Sequence, residues 1–267
     1  MGKPVTNNVC LAIEGLTKRF GGFYALNQLN MDVTQGHIHA LIGPNGAGKT
    51  TFFNLLTGVL SADTGKIVFD GQMIDDARPS RRTLKGIART FQNIRLFPHL
   101  TVMETVMIGE HCRTYPSVWK ALGNAVLQRP FHESGAEREM QTNAIELLEF
   151  LGLADKRHDK ASDLPYGEQR KLELARALAT RPRLLLLDEP AAGMNPRETS
   201  ELDHIITRVR DRGVTIILVE HDMKLVMGIS DNVTVLNFGT KIAEGPPKKI
   251  QDDPVVIEAY LGEDVQL

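Results

Sequence analysis

The nine residues GPNGAGKTT at 43–51 constrain this chain more than any other stretch. They follow IHALIG (38–43), which alternates and then runs apolar as a strand does, and they precede TFFNLLTG, which reads as a helix. A strand, a glycine-rich loop ending in Gly-Lys-Thr and a helix, in that order, make the P-loop pattern in the context it requires. Gly43, Gly46 and Gly48 let the backbone turn its N–H groups inward around phosphate oxygens, and Pro44, Asn45, Ala47 and Thr51 complete the loop. Lys49 reaches the β- and γ-phosphates of a nucleoside triphosphate, and Thr50 offers its hydroxyl to Mg²⁺. The blander alternative is a glycine-rich turn that merely caps a strand; the flanking elements weigh against it.

The rest of the chain is organised around that unit. Residues 11–70 are strand-rich, with KIVFDG (66–71) ending in a turn-like Asp-Gly. From about 93 to 163 the pattern turns helical, and NAIELLEFLGL (143–153) spaces its apolar residues for one face. RLLLLDE reads as a buried strand, followed by a helix over 197–212 in which Leu202, Ile205, Ile206 and Val209 recur at helical spacing. VTIILVEH and NVTVLNFG supply two more strands. Strands alternating with helices predict an α/β core with a parallel sheet, and the middle block reads as an insertion. At 267 residues the chain is long enough to bury a proper core. Its 31 basic and 33 acidic residues leave a net charge of −2, with no bulk attraction to nucleic acid. Two cysteines, Cys10 and Cys112, make no disulfide framework and fit a reducing compartment. MGKPVTNNVC lacks the long apolar run of a secretory signal, and LLLL (184–187) and VTIILV (214–219) are too short to span a bilayer. A soluble, cytosolic chain is expected, reaching a membrane only through partners.

Three further stretches carry chemistry. LLLLDE places Asp188 and Glu189 at the carboxyl edge of the sheet, where ligands bind in such folds. Asp188 suits a role toward the metal, and Glu189 one of orienting or deprotonating an attacking water. VEHDM (219–223) sets His221 at the same edge, within reach of a γ-phosphate; the other seven histidines, His37 and His39 among them, show no metal-ligand spacing. LPYGEQR (164–170) runs into KLELARALAT, a good helix former. Asp163 is placed to cap that helix, Pro165 to sit early in it, and Gly167 to leave the backbone of its first turn without a side chain to shield it.

The P-loop, then Gln92 in RTFQN, then LPYGEQR, LLLLDEP and VEHD resemble, in order and over nearly the whole chain, the ATPase subunit of ABC transporters. The resemblance implies that Gln92 is a Mg²⁺ ligand that also senses a membrane partner, and that Phe20 stacks on adenine, with a plain core role as its alternative. It implies that the signature residues Leu164, Pro165, Tyr166, Gly167, Glu168 and Gln169 face ATP held on the P-loop of a second subunit. ATP and Mg²⁺ are then the ligands, with Thr50, Gln92 and Asp188 toward the metal and Glu189, His221 and Gln92 catalytic. The implied fold is a P-loop ABC ATPase core with an antiparallel β subdomain and an inserted α-helical subdomain. Its expected boundaries are 1–92 and 164–253 for the core, 93–163 for the helices and 254–267 for a tail.

Pro165 and Tyr166 replace the serine and glycine usual in the signature, and Asn195 in AGMN (192–195) stands where the family usually carries a D-loop aspartate. A heterodimer with a second, different ATPase chain and unequal sites is therefore expected, with a homodimer as the alternative. LPYGEQR, EPAAGMNPRETSELD, VEHDMKLVMGISD and AEGPPKKIQDDPVVIEAYLGED are similar to the first ATPase subunit of bacterial branched-chain amino-acid importers, as is the long link 111–141 with Trp119. This resemblance implies two polytopic membrane subunits, an extracytoplasmic solute-binding protein, and a place at the cytoplasmic face of the inner membrane. Lipopolysaccharide-export ATPases share a YLGED-like end but usually keep a standard signature; urea and short-amide importers are a further alternative. ABC ATPases that act on DNA or ribosomes usually carry coiled-coil arms or two modules, and neither a sustained heptad nor a basic excess is present here.

Overall fold

A computed structural model of the chain describes residues 8–114 and 135–261. The tryptophan-bearing part of the 111–141 link, the first seven residues and the end of the tail lie outside them. Two compact units emerge: one holds the described residues up to Arg89 and from Arg183 onward, the other is Thr90–Pro182. The division falls later than the expected boundary at 164, because the helix of the LPYGEQR stretch packs with the helices before it.

The first unit contains two sheets. β1 (Val9–Phe20), β2 (Phe23–Thr34), β4 (Thr64–Phe69) and β5 (Gln72–Met73) form an antiparallel sheet in the order β2-β1-β4-β5. The second sheet runs β10-β9-β3-β8-β7-β6, from β3 (Ile38–Ile42), β6 (Ile87–Arg89), β7 (Leu184–Asp188), β8 (Thr215–Val219), β9 (Asn232–Asn237) and β10 (Thr240–Gly245). All its neighbours are parallel except the β9–β10 edge hairpin. β3, β7 and β8 are buried at every residue, so their sequences run apolar instead of alternating.

The two faces of β3 still separate. Leu41 joins a core with Leu11, Ile13 and Ile67 of the antiparallel sheet and with Phe52 and Phe53 of α1 (Lys49–Leu56). Ala40 and Ile42 join the opposite core with Val226 of α7 (Met223–Ile229), Ile250 of α8 (Pro247–Gln251) and Val256 of α9 (Pro254–Leu261). The described part of the 254–267 tail is thus a packed helix. His39 is buried in β3 with Nε2 2.8 Å from the Thr234 hydroxyl, and burial, helped by Lys241 and His37, lowers its pKa to about 4. α1 is held at its far end by Arg82 of α2 (Pro79–Lys85), whose guanidinium donates to the last carbonyls at Leu55 and Leu56.

The second unit packs α3 (Val102–Thr114), α4 (Gly135–Leu151) and α5 (Tyr166–Ala179), with Val102, Val106, Ala144, Leu148, Leu151, Leu172 and Ala175 buried. Ala144, Leu148 and Leu151 keep the helical spacing of 143–153. Helix α6 (Pro196–Asp211) belongs to the first unit and buries Leu202, Ile205, Ile206 and Val209. Among the described residues no helix is long and apolar enough to cross a membrane.

Candidate active site at the carboxyl edge of the parallel sheet

Because β3, β7 and β8 are adjacent and parallel, the loops that follow them emerge at one edge. The loop after β3 carries Gly43–Gly48 and delivers Lys49 as the first residue of α1. Two of its glycines are required by space as well as by backbone angle. At Gly43 (φ 148°) a β-carbon would lie 2.1 Å from the Leu236 carbonyl oxygen, and at Gly48 (φ 104°) 2.3 Å from that of Ala25. Gly48 is the N-cap, and no side chain caps this helix start. Ala47 is buried, Asn45, Gly46 and Thr50 are exposed, and Thr51 is partly covered. Lys49 is buried with its ammonium folded into the loop, donating to the carbonyls of Gly43 at 2.5 Å and Pro44 at 2.8 Å.

β7 ends in Asp188, and Glu189 turns out of the strand at φ 47° while its N–H donates to Val219 of β8 at 2.8 Å. That turn brings its carboxylate Oε1 to 2.9 Å from His221 Nε2. The two side chains, which the sequence places separately at this edge, meet although they lie thirty-two residues apart in the chain. Asp188 is buried, with Oδ2 2.7 Å from Arg89 Nη2. Hydroxyl and carboxylate oxygens at Thr50 and Asp188 are the donor chemistry that suits Mg²⁺.

Two residues that the sequence reading missed hold this edge together. Glu220, buried at the end of β8, accepts from the Ala191 N–H at 2.8 Å and the His221 N–H at 3.0 Å, and so fixes the backbone beside both Glu189 and His221. Its pKa is raised, chiefly by burial, against the opposing pull of those N–H groups. Arg89 is the other. The only sequence signal for either is a charge at the end of an otherwise apolar strand.

Phe20 ends β1 with its ring about half exposed and the Lys18 ammonium 5.7 Å from its centre, so it is not core. Gln92 and Leu164–Gln169 belong to the helical unit. There the start of α5 departs from expectation. Leu164 and Pro165 are extended, which leaves Asp163 too early to cap; it ends a short 3₁₀ turn and accepts from Ser162 instead. Pro165 is the N-cap, without a side-chain cap bond, and Gly167 is buried while Pro165 and Tyr166 face outward. The exposed part of the helix start is therefore not the glycine. Glu168 pairs with Lys156, and Gln169 donates to the Leu164 carbonyl at 2.8 Å. Arg170, buried in α5, donates to the carbonyls of Phe91 at 2.9 Å and Gln92 at 2.5 Å and to the Tyr166 hydroxyl at 2.9 Å. The side chain of Gln92 itself is exposed.

Asn195, the departure in AGMN, is the N-cap of α6. Its side-chain oxygen accepts from the N–H groups of Arg197 and Glu198 at 3.0 Å each, and Glu198 returns a bond to the Asn195 N–H at 2.9 Å, a complete capping box.

Known proteins match this arrangement along nearly the whole chain. The family profile described as ABC transporter matches residues 26–192, and one described as branched-chain amino acid ATP-binding cassette transporter matches 240–266. The high-affinity branched-chain amino acid transport ATP-binding protein BraF of Pseudomonas aeruginosa is 44% identical over 98% of this chain and 100% of its own length. The corresponding LivG of Escherichia coli is 44% identical over 95% of this chain and 98% of its own. Among solved structures, a nucleotide-free ATP-binding cassette from an ABC transporter superposes with a TM-score of 0.81 at 33% identity, covering 94% of this chain and 98% of that one. A cassette in its ADP conformation gives 0.82 at 33% identity, covering 95% and 99%. The P-loop, the paired carboxylates and the histidine thus stand on the scaffold of those relatives, and the chain belongs to the ATP-binding cassette family of ABC transporters.

Proposed function

We propose that this chain binds and hydrolyses ATP to drive an importer of branched-chain amino acids, working at the cytoplasmic face of the inner membrane. The observation that carries the hydrolytic part is the meeting of Glu189 and His221 at the sheet edge shared with the P-loop. The solute rests on the two relatives named for branched-chain amino acid transport.

The loop N–H groups and Lys49 bind the phosphates; in opening to them Lys49 exchanges its carbonyl partners for phosphate oxygens. Thr50 and Asp188 would hold Mg²⁺, which would neutralise charge developing on the phosphates; Gln92, in the helical unit, is the further ligand that the family resemblance implies. Glu189 orients the attacking water and takes its proton, and His221 holds the carboxylate and the γ-phosphate in register. Phe20 stacks on adenine with its exposed ring. The signature start of α5 meets the ATP of a second, different cassette chain, and the Gln92 segment meets two polytopic membrane subunits served by an extracytoplasmic receptor.

Reconstitution tests the whole reading. The chain, assembled with its genomic neighbours in proteoliposomes, should show ATP-dependent uptake of radiolabelled leucine, isoleucine or valine that requires the receptor. ATP-dependent uptake of urea or a short amide, with none of the three amino acids, would replace the solute. ATP hydrolysis by the full assembly with no ATP-dependent uptake of any solute would remove transport altogether.

A further inference from the structure

Asp188 is not held by the nucleotide loop but by a buried cation from another strand. Arg89, the last residue of β6, sends Nη2 to Asp188 Oδ2 at 2.7 Å and Nη1 to Asn54 Oδ1 on α1, also at 2.7 Å. Its guanidinium carbon lies 5.3 Å from the centre of the Phe53 ring on the same helix. The Arg89 and Asp188 side chains are each only 7% exposed. A buried ion pair contributes little net stability, because desolvating two charges offsets most of their attraction. Stability alone therefore does not explain why an arginine is fixed here from three directions. The arrangement does accomplish something specific: it commits Oδ2, leaves Oδ1 to serve a cation, and fastens the carboxylate to the helix that begins with Lys49 and Thr50.

We propose that Arg89 is the positioning residue for the metal-binding carboxylate, using Asn54 and the Phe53 ring as its anchors. The proposal rests on Asp188 as a Mg²⁺ ligand. Arginine is suited to the task because its planar fork spans two acceptors at once, whereas lysine is a single point charge. Groups that orient a metal ligand typically govern metal affinity by about 10–100-fold when removed.

The test is a Mg²⁺ titration of the purified chain in the presence of a fluorescent ATP analogue, with affinity for the same analogue measured separately in EDTA. Arg89→Lys keeps the positive charge but not the fork, so the half-saturating Mg²⁺ concentration should rise about tenfold while the affinity in EDTA stays unchanged. Asn54→Ala loosens the arginine without stranding a buried charge, and should shift Mg²⁺ the same way by a smaller factor. Arg89→Lys with a wild-type or lowered Mg²⁺ requirement overturns the proposal; if that variant does not fold, the same result for Asn54→Ala does so. Asp188→Asn separates the two levels. If it leaves the Mg²⁺ requirement unchanged, the assignment of Asp188 to the metal fails and the proposal with it. If it raises the requirement and Arg89→Lys does not, only the positioning role is lost.

Discussion

Glu189 adopts a left-handed backbone, at φ 47°, that costs a residue with a β-carbon about 1–3 kcal/mol. The turn it makes is what aims its carboxylate at His221. Replacement by glutamine keeps the size and the backbone but removes the charge that orients or deprotonates water. Glu189→Gln is expected to bind ATP and to hydrolyse it about 10²–10⁴-fold more slowly, as single-turnover measurements would show. Turnover near wild type would take Glu189 out of that role. Lys49 provides the complementary case: its buried ammonium is held by two loop carbonyls that it would exchange for phosphate oxygens. Lys49→Ala should weaken ATP binding in isothermal titration, and unchanged affinity would contradict the assignment of the loop.

At the scale of elements, α6 shows how one substitution can serve structure. Asn195 satisfies two N–H groups at the start of the helix. Asn195→Ala should cost about 1 kcal/mol in urea denaturation, whereas Asn195→Asp keeps an acceptor at the cap and should cost much less. On the same helix, Asp203 is pushed up to about 6, mainly by burial and then by the nearby carboxylates of Asp222 and Glu220, with His204 acting the other way. Its folded pKa lies above the ordinary carboxylate value, so the folded state binds the extra proton between the two. Stability from this group is present at low pH and is lost as pH rises through about 6. Asp203→Asn should therefore raise the melting temperature at pH 7.5 and do so less at pH 5. An equal gain at both pH values would show that the carboxylate does not titrate in this window.

For the whole molecule, the consequence of the α5 start lies in the dimer, because it presents Pro165 and Tyr166 outward and buries Gly167. Pro165 has no N–H to donate, Tyr166 faces outward and bonds Arg170, and Asn195 lacks the D-loop charge. The contribution of this chain to a partner's ATP site is expected to be the weaker one. ATPase rates per site should be higher for the mixed pair of cassettes with their membrane subunits than for this chain alone. The double replacement Pro165→Ser with Tyr166→Gly should raise the rate of the chain alone. Equal rates, together with no gain from the restored signature, would make Pro165 and Tyr166 neutral variants.

The sequence by itself determined the α/β class, the strand–loop–helix around Lys49 and the strand ends that carry Asp188, Glu189 and His221, because each is written in a short stretch. Glycine, lysine and threonine at fixed spacing, or an apolar run ending in carboxylates, need no distant residue to be read. Helix α6 was legible within a residue for the same reason. What joins stretches far apart was not legible. Arg89 meets Asp188 across 99 residues and Asn54 across 35, and no local pattern announces either contact. Glu220 looks like one more charge after a strand until the backbone of Ala191 is folded against it. At the start of α5 the local reading finds the turn that holds Gly167 but not its cap: two extended residues carry Asp163 out of capping range. Local propensity chooses among nearby conformations by less than the free energy that burial and buried hydrogen bonds contribute, so at these points tertiary packing decided.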